Sequence, residues 1–254
     1  MKIVGIIPSR YNSTRFPGKA LAPIGNKPMI AHVCEAALAC RELDEVYVAT
    51  DSSEIKAVCS KYGFSVIVTK DRHLTPTSRI WETTKAVSAD LYIMIGGDEP
   101  LISPADIKKV VDAAVSFHSK SLSGGNDVPF VVNAMTAVTD LEEIKDPSNI
   151  KIVYNEEREC LYVSRSPIPY HKEYTAPSYM KFVSIGAYTR ESLDFFSVTA
   201  PGLLEQAEEC DLLRFLEHHK KIYLTDIGSP TLSVDTPKDL EKVIHLIKLK
   251  GVLK

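Results

Sequence analysis

Lys2-Ile-Val-Gly-Ile-Ile-Pro-Ser9 runs directly into Arg10-Tyr-Asn-Ser-Thr-Arg-Phe-Pro-Gly-Lys19. The first segment is a short apolar run that reads as a buried strand. The second is a loop, and in open α/β sheets ligands bind beyond the carboxyl ends of the strands. Arg10, Arg15 and Lys19 supply positive charge there, Ser13 and Thr14 supply small hydroxyls, and Gly18 lets backbone approach closely. That combination suits a polyanion such as a nucleoside triphosphate. A solvated surface turn would account for one such cation, whereas three within ten residues of a first strand favour phosphate binding. The loop is neither a G-x-x-x-x-G-K-[ST] phosphate loop nor a G-x-G-x-x-G dinucleotide turn.

Outward from this loop, strand and helix signals alternate, which predicts βαβ units and a mostly parallel sheet. A helix is expected from Pro28 to about Arg41, a strand over Glu45–Thr50, and a helix start at Asp51-Ser-Ser-Glu54. A strand is expected over Phe64–Val68, a helix after Thr75-Pro-Thr-Ser running to Val87 and a strand over Asp90–Ile95. Ser103-Pro-Ala-Asp106 reads as the cap of another helix. Beyond Lys120 come a Ser/Gly-rich loop over Ser121–Asp127, a strand from Phe130 to Met135 and a hairpin over Ile150–Arg165. A helix follows Thr189, another runs from Leu203 to His219, and strands are expected at Ile222–Thr225 and Leu232–Val234. The terminal helix starts at Thr236-Pro-Lys-Asp. The chain is read as one domain, 1–254, in which about 128–188 forms a small hairpin subregion or dimer arm.

Composition limits the partners. With 44% apolar residues, 25% charged residues and a net charge of −3, the chain lacks the basic excess of a general nucleic-acid-binding surface. Its apolar runs are only strand-sized, so neither a membrane span nor a signal peptide is expected. Cys34, Cys40, Cys59, Cys160 and Cys210 contain no C-x-x-C pair and read as buried apolar side chains in a reducing, cytoplasmic setting. His218-His219, at a helix end, reads as a solvated pair.

Two acidic strand ends stand out. Gly96-Gly-Asp-Glu-Pro100 places Asp98 after a buried strand, where a carboxylate suits Mg2+ together with substrate phosphates. The same residue types also form turns for purely conformational reasons. Asp235, in Ser233-Val-Asp-Thr-Pro-Lys-Asp239, reads either as a second ligand or as a helix N-cap.

The segments Ile6–Lys19, Gly25-Asn-Lys-Pro-Met-Ile30, Val48-Ala-Thr-Asp51, Gly97-Asp-Glu-Pro-Leu-Ile102, Val163-Ser-Arg-Ser-Pro-Ile-Pro169 and Val234–Glu241 resemble, in order, the 3-deoxy-manno-octulosonate cytidylyltransferase (CMP-Kdo synthetase) family. The sialic acid cytidylyltransferases share only the opening theme. The resemblance implies an α/β, Rossmann-like nucleotidyltransferase (GT-A-like) fold with a mixed, mostly parallel sheet and a small hairpin/dimerisation insertion. It also implies CTP as donor, a small acidic sugar as acceptor, Mg2+ as cofactor and a homodimer. By the same resemblance Arg10, Ser13, Thr14, Arg15, Lys19, Thr77 and Arg79 bind nucleotide, and Asp98 and Asp235 hold metal. The resemblance further implies that catalysis rests on Lys19, Asp98 and Asp235 and that the acceptor meets Arg165, Tyr188 and Asp211.

The chain departs from the family pattern mainly on the acceptor side. Gly96 stands where the family has Gln, Ser184 where it has His, and Asp211-Leu212 where it has Glu-Gln. Thr75-Pro-Thr-Ser-Arg79 replaces a Ser-Gly-Thr-Asp/Glu-Arg stretch. Lost hydrogen bonds to a hydroxylated substrate change selectivity strongly, so the expected acceptor is a modified or shorter sugar acid, with Kdo itself the alternative. A nucleotidyltransferase using another nucleotide, and a non-catalytic nucleotide-sugar binding protein, are the remaining alternatives.

Overall fold

The computed structural model describes residues 1–124, 128–172 and 179–249, and they form two compact units. Residues 125–127 of the Ser/Gly-rich loop and residues 173–178 of the hairpin region lie outside the described residues.

Unit 1 comprises Met1–Lys108 and Thr231–Lys254. Strand β1 (Ile3–Pro8) is followed by a short 3-10 helix (Lys19–Leu21) and a two-residue antiparallel ribbon, β2 (Pro23–Ile24) with β3 (Lys27–Pro28). Then come α1 (Met29–Leu38), β4 (Glu45–Thr50), α2 (Ser53–Lys61), β5 (Val66–Val68), α3 (Pro76–Thr83), β6 (Leu91–Ile95) and the first turn of α4 (Pro104–Leu122), whose remainder is counted in unit 2. The strand order is β6-β1-β4-β5, parallel throughout. β1 is central, and its Val4, Ile6 and Ile7 are fully buried, as expected of a strand covered on both faces.

Local chemistry starts the helices. The Ser52 hydroxyl accepts from Ile55 N at 3.1 Å, opening α2. Thr75 caps α3 with Pro76 in its first turn, and Ser103 and Asp106 exchange bonds of 2.9 and 3.2 Å at the start of α4. Helix α3 stops at Thr83, short of the expected Val87. There the Thr83 and Thr84 hydroxyls donate to the Ile80 and Trp81 carbonyls, and turns follow.

Unit 2 spans Lys109–Pro230. It contains β7 (Val131–Val138), α5 (Leu141–Lys145), β8 (Lys151–Tyr154), β9 (Cys160–Ser164), β10 (Tyr179–Tyr188), α6 (Arg190–Val198), α7 (Leu203–Glu208), α8 (Leu212–Glu217) and β11 (Ile222–Asp226). Its strands run β11-β7-β10, with β11 parallel and β10 antiparallel to β7. The β8-β9 hairpin continues from β10. The chain then returns to unit 1 with α9 (Pro237–Leu249).

Two sequence expectations change, and one strand was not expected. The helix expected over Leu203–His219 is two helices, because Glu209 adopts a left-handed φ of 47° that ends α7. Tertiary hydrogen bonds to the carbonyls of that joint replace the continued helix. The strand expected at Leu232–Val234 joins no ladder among the described residues, and its Val234 N donates to Asp98 O at 2.8 Å instead. Strand β10 escapes the sequence pattern because Lys181 lies on its buried face and its register shifts between Val183 and Gly186.

Candidate functional site

Within unit 1, the Arg10–Lys19 loop folds back on itself. The Tyr11 carbonyl accepts from Ser13 N at 3.0 Å and Gly18 N at 2.8 Å. Gly18 has φ +71°, and a Cβ there would sit 3.4 Å from the Tyr11 ring. This turn leaves Arg10, Thr14 and Arg15 exposed, buries Ser13, and sends Lys19 into the 3-10 helix.

The Gly96-Gly97 turn at the end of β6 is drawn tightly against β1. A Cβ on Gly97 would stand 3.0 Å from Pro8 O. Beyond it, Asp98 Oδ2 accepts from Lys19 Nζ at 2.6 Å, and the same ammonium donates to Val234 O at 2.9 Å and Asp235 Oδ1 at 3.1 Å. Arg15 Nη2 lies 2.9 Å from Asp235 Oδ1. Burial acts to lower the pKa of Lys19, but Asp98 and Asp235 outweigh it and hold the ammonium above its ordinary value.

The two readings of Asp235 separate here. Thr236 caps α9: Asp239 Oδ2 accepts from Thr236 N at 2.9 Å and from its hydroxyl at 2.8 Å, while Asp239 N donates to Thr236 Oγ1 at 3.3 Å. The Asp235 carboxylate is thereby left to Lys19 and Arg15. Asp98 and Asp235 converge on one ammonium, so their hard oxygens also fit a cation of the Mg2+ type, which takes one or two carboxylates plus phosphates and waters.

Thr77 is fully buried in α3, and Arg79 points inward beside it. Arg79 Nη1 lies 2.9 Å from Asp51 Oδ1 and donates to Thr69 Oγ1 at 2.5 Å. Burial lowers the Arg79 pKa against the pull of Asp51, and the nearby positive charge of Arg10 adds to the lowering. Asp51 ends the Val48-Ala-Thr-Asp51 segment; the sequence marks it only as part of a helix start and not as a site residue, although an acid just after a strand was the available signal. His73 was likewise missed: its ring contacts the Glu82 carboxylate on one side and the Ser78 hydroxyl at 3.2 Å on the other, bracing the start of α3.

Within unit 2, Arg165 follows β9 and is largely committed to backbone. Its Nε donates to Glu208 O at 2.6 Å, Nη1 to Pro147 O at 2.8 Å and Nη2 to Glu209 O at 3.2 Å, while its own N–H donates to Glu208 Oε2 at 2.8 Å. These bonds hold the joint between α7 and α8. Two of the five guanidinium donors are not engaged by them. Tyr188, at the end of β10, is 1% exposed, and its hydroxyl lies 3.2 Å from where a Gly186 Cβ would be. Asp211 sits half-buried at the start of α8, and Leu212 is core. His218 and His219 are exposed.

The family model described as cytidylyltransferase matches residues 4–222. A 3-deoxy-manno-octulosonate cytidylyltransferase of Escherichia coli is 37% identical over 247 residues, covering 97% of this chain and 96% of the relative. An 8-amino-3,8-dideoxy-manno-octulosonate cytidylyltransferase of Shewanella frigidimarina is 35% identical over 246 residues, covering 95% and 97%. The solved structure of CMP:2-keto-3-deoxy-manno-octonic acid synthetase complexed with CTP superposes with a TM-score of 0.86 at 36% identity, covering 98% of this chain and 100% of that one. An inositol-1-phosphate CTP transferase from T. maritima, at 13% identity and a TM-score of 0.66, shares the fold. The matched model spans most of the chain, including Lys19 and Asp98 of the cluster: this chain belongs to the cytidylyltransferase family.

Proposed function

We propose that the chain transfers the CMP group of CTP to a 3-deoxy-octulosonate-type sugar acid, releasing pyrophosphate. A sugar hydroxyl oxygen forms a bond to the α-phosphorus, the bond from that phosphorus to the oxygen bridging to the β-phosphorus breaks, and the hydroxyl proton leaves to solvent. Such an in-line displacement needs clamped phosphates and balanced charge more than a covalent intermediate. The observation that carries the reading is the convergence of Lys19, Asp98 and Asp235 beside the exposed Arg10–Arg15 loop.

In this reading Arg10, Arg15 and Lys19 hold the triphosphate, and Ser13 and Thr14 add hydroxyl donors. Arg79, anchored by Asp51 and Thr69, keeps the start of α3 and Thr77 in place against the nucleotide. Asp98 and Asp235 hold Mg2+, which when bound neutralises phosphate charge and favours the ionised hydroxyl. Arg165, Tyr188 and Asp211 are assigned to the acceptor through the family resemblance. We assign a homodimer and a cytoplasmic site of action on the same ground. No helix among the described residues is long and apolar enough to cross a membrane.

Gly96, Ser184 and Leu212 favour an acceptor that differs from Kdo. Relatives named for Kdo and for its 8-amino analogue match about equally well, so the acceptor is assigned as a class. The test is pyrophosphate release from CTP and Mg2+ with Kdo beside amino-, deoxy- and shorter-chain sugar acids. Turnover with one or more of them supports the proposal and names the acceptor. Silence across the panel while CTP still binds would favour a non-catalytic nucleotide-sugar binding role.

A further inference from the structure

We propose that Lys19 serves as an internal stand-in for the divalent cation, so that metal binds tightly only together with the nucleotide. This rests on the reading above, in which Asp98 and Asp235 hold the metal. The ammonium of a lysine has three N–H donors. On Lys19 all three are accounted for, by Asp98 Oδ2 at 2.6 Å, Val234 O at 2.9 Å and Asp235 Oδ1 at 3.1 Å. Two carboxylates and a backbone carbonyl are also the oxygen types a hard cation takes. Lysine and metal would therefore draw on the same oxygens.

The elements that build this cluster hold it in place. Lys19 lies in the 3-10 helix that the Gly18 turn sets up, Asp98 follows the Gly97 turn packed on Pro8 O, and Val234 N is tied to Asp98 O at 2.8 Å. The Lys19 side chain is only 14% exposed, so solvent and salt screen its pairs less than they screen a surface ion pair.

Charge gives the ordering. Lys19 and Arg15 balance Asp98 and Asp235, since Arg15 Nη2 stands 2.9 Å from Asp235 Oδ1. A divalent cation entering this balanced cluster meets two positive side chains and must displace one of them. A triphosphate changes both terms: it offers new oxygens to the Lys19 ammonium, and its negative charge offsets the surplus left by the metal. By linkage, metal must then tighten CTP by the same factor as CTP tightens metal. Lys19 thus couples the two ligands as well as touching one of them.

The test measures Mn2+ binding, by the paramagnetic resonance signal of the free ion, with and without CTP and with no sugar acid present. Removing the competing charge in Lys19→Met is expected to tighten Mn2+ binding about tenfold without nucleotide, and to shrink the mutual enhancement of Mn2+ and CTP. Lys19→Arg, which keeps the charge, is expected to stay near wild type. Lys19→Gln substitutes should Lys19→Met fail to fold. Mn2+ binding in the neutral variants that is no tighter than wild type would overturn the proposal. Asp98→Asn separates the two readings: if it leaves Mn2+ binding in the presence of CTP unchanged, the assignment of the metal to the carboxylates fails. If it removes that binding while Lys19→Met does nothing, only the stand-in role fails.

Discussion

The Arg214 guanidinium clasps the Glu205 carboxylate through two bonds, Nε to Oε2 at 2.6 Å and Nη2 to Oε1 at 2.5 Å. Its Nη1 donates to the Phe196 and Thr199 carbonyls, each at 3.0 Å, and the guanidinium lies 3.7 Å from the centre of the Phe196 ring. Arg214 closes the Cys210-Asp-Leu-Leu-Arg stretch in which the family pattern is altered. This geometry makes it a brace joining α6, α7 and α8. Glu205→Ala leaves a buried cation without its partner and is expected to cost about 3–5 kcal/mol in urea unfolding. In the surviving folded fraction the Michaelis constant for CTP should be unchanged.

Asp98→Asn should cut pyrophosphate release at least about a hundredfold, because it removes a carboxylate assigned to charge balance at the reacting phosphates. The Lys19 ammonium keeps Val234 O and Asp235 in this variant, so the accompanying stability loss should stay at about 1 kcal/mol. A variant that kept a near-normal rate with Mg2+ would show that the carboxylate has been given the wrong task.

Cap and site can be pulled apart at neighbouring positions. Thr236→Ala removes the α9 cap and should cost about 1 kcal/mol of stability while leaving most turnover intact. Asp235→Asn should do the opposite, lowering turnover sharply with little change in the unfolding midpoint. Equal stability losses in the two variants would mean that both residues serve the helix.

Arg79→Met should lower stability by about 2 kcal/mol, since the Asp51 carboxylate and Thr69 hydroxyl lose a common buried partner. Its effect on turnover should appear mainly as a raised Michaelis constant for CTP. A change confined to kcat would point to direct contact with the reacting phosphate.

All five thiols are free and buried. Burial pushes Cys40 and Cys59 up to about 11 and Cys160 and Cys210 up to about 12, and it raises Cys34 as well. A disulfide reagent at pH 8 should therefore find almost none of them in the native protein and all five once it is unfolded. The sign of the pH effect follows. The native state keeps these protons above the ordinary thiol value of 9.0, so the stability they contribute is full below pH 9 and is lost as pH rises through about 11 to 12. Unfolding midpoints measured from pH 8 to 11 should fall accordingly.

Much of the first unit was legible because its signals are local. The continuous apolar run of β1, the strand Glu45–Thr50 and the caps at Ser52, Thr75 and Ser103 each announce themselves within a few residues. The cations of the Arg10–Lys19 loop were visible for the same reason. What stayed hidden depends on partners far along the chain. Asp235 could be a cap or a ligand until Thr236 was seen to take the cap and Lys19, 216 positions away, was seen to take the carboxylate. The Leu203–His219 periodicity suits one helix, and nothing local reveals that Arg165, more than forty residues earlier, draws the Glu208 and Glu209 carbonyls out of it. The family resemblance assigns Arg79 to the nucleotide, whereas its anchoring by Asp51 and Thr69 is visible only in the fold.

Ile24 and Met29, near the beginning of the chain, share a hydrophobic cluster with Leu232, Val234, Val243 and Ile247, near its end. During synthesis on a ribosome, every strand of the first parallel sheet emerges well before the segment that covers those two side chains. A nascent chain halted after residue 230 would carry β6-β1-β4-β5, yet it would expose Ile24 and Met29 and leave Lys19 without Val234 O and Asp235. The charge cluster and this part of the core are therefore completed in one late event, so an abandoned translation product is left sticky and chemically incomplete together.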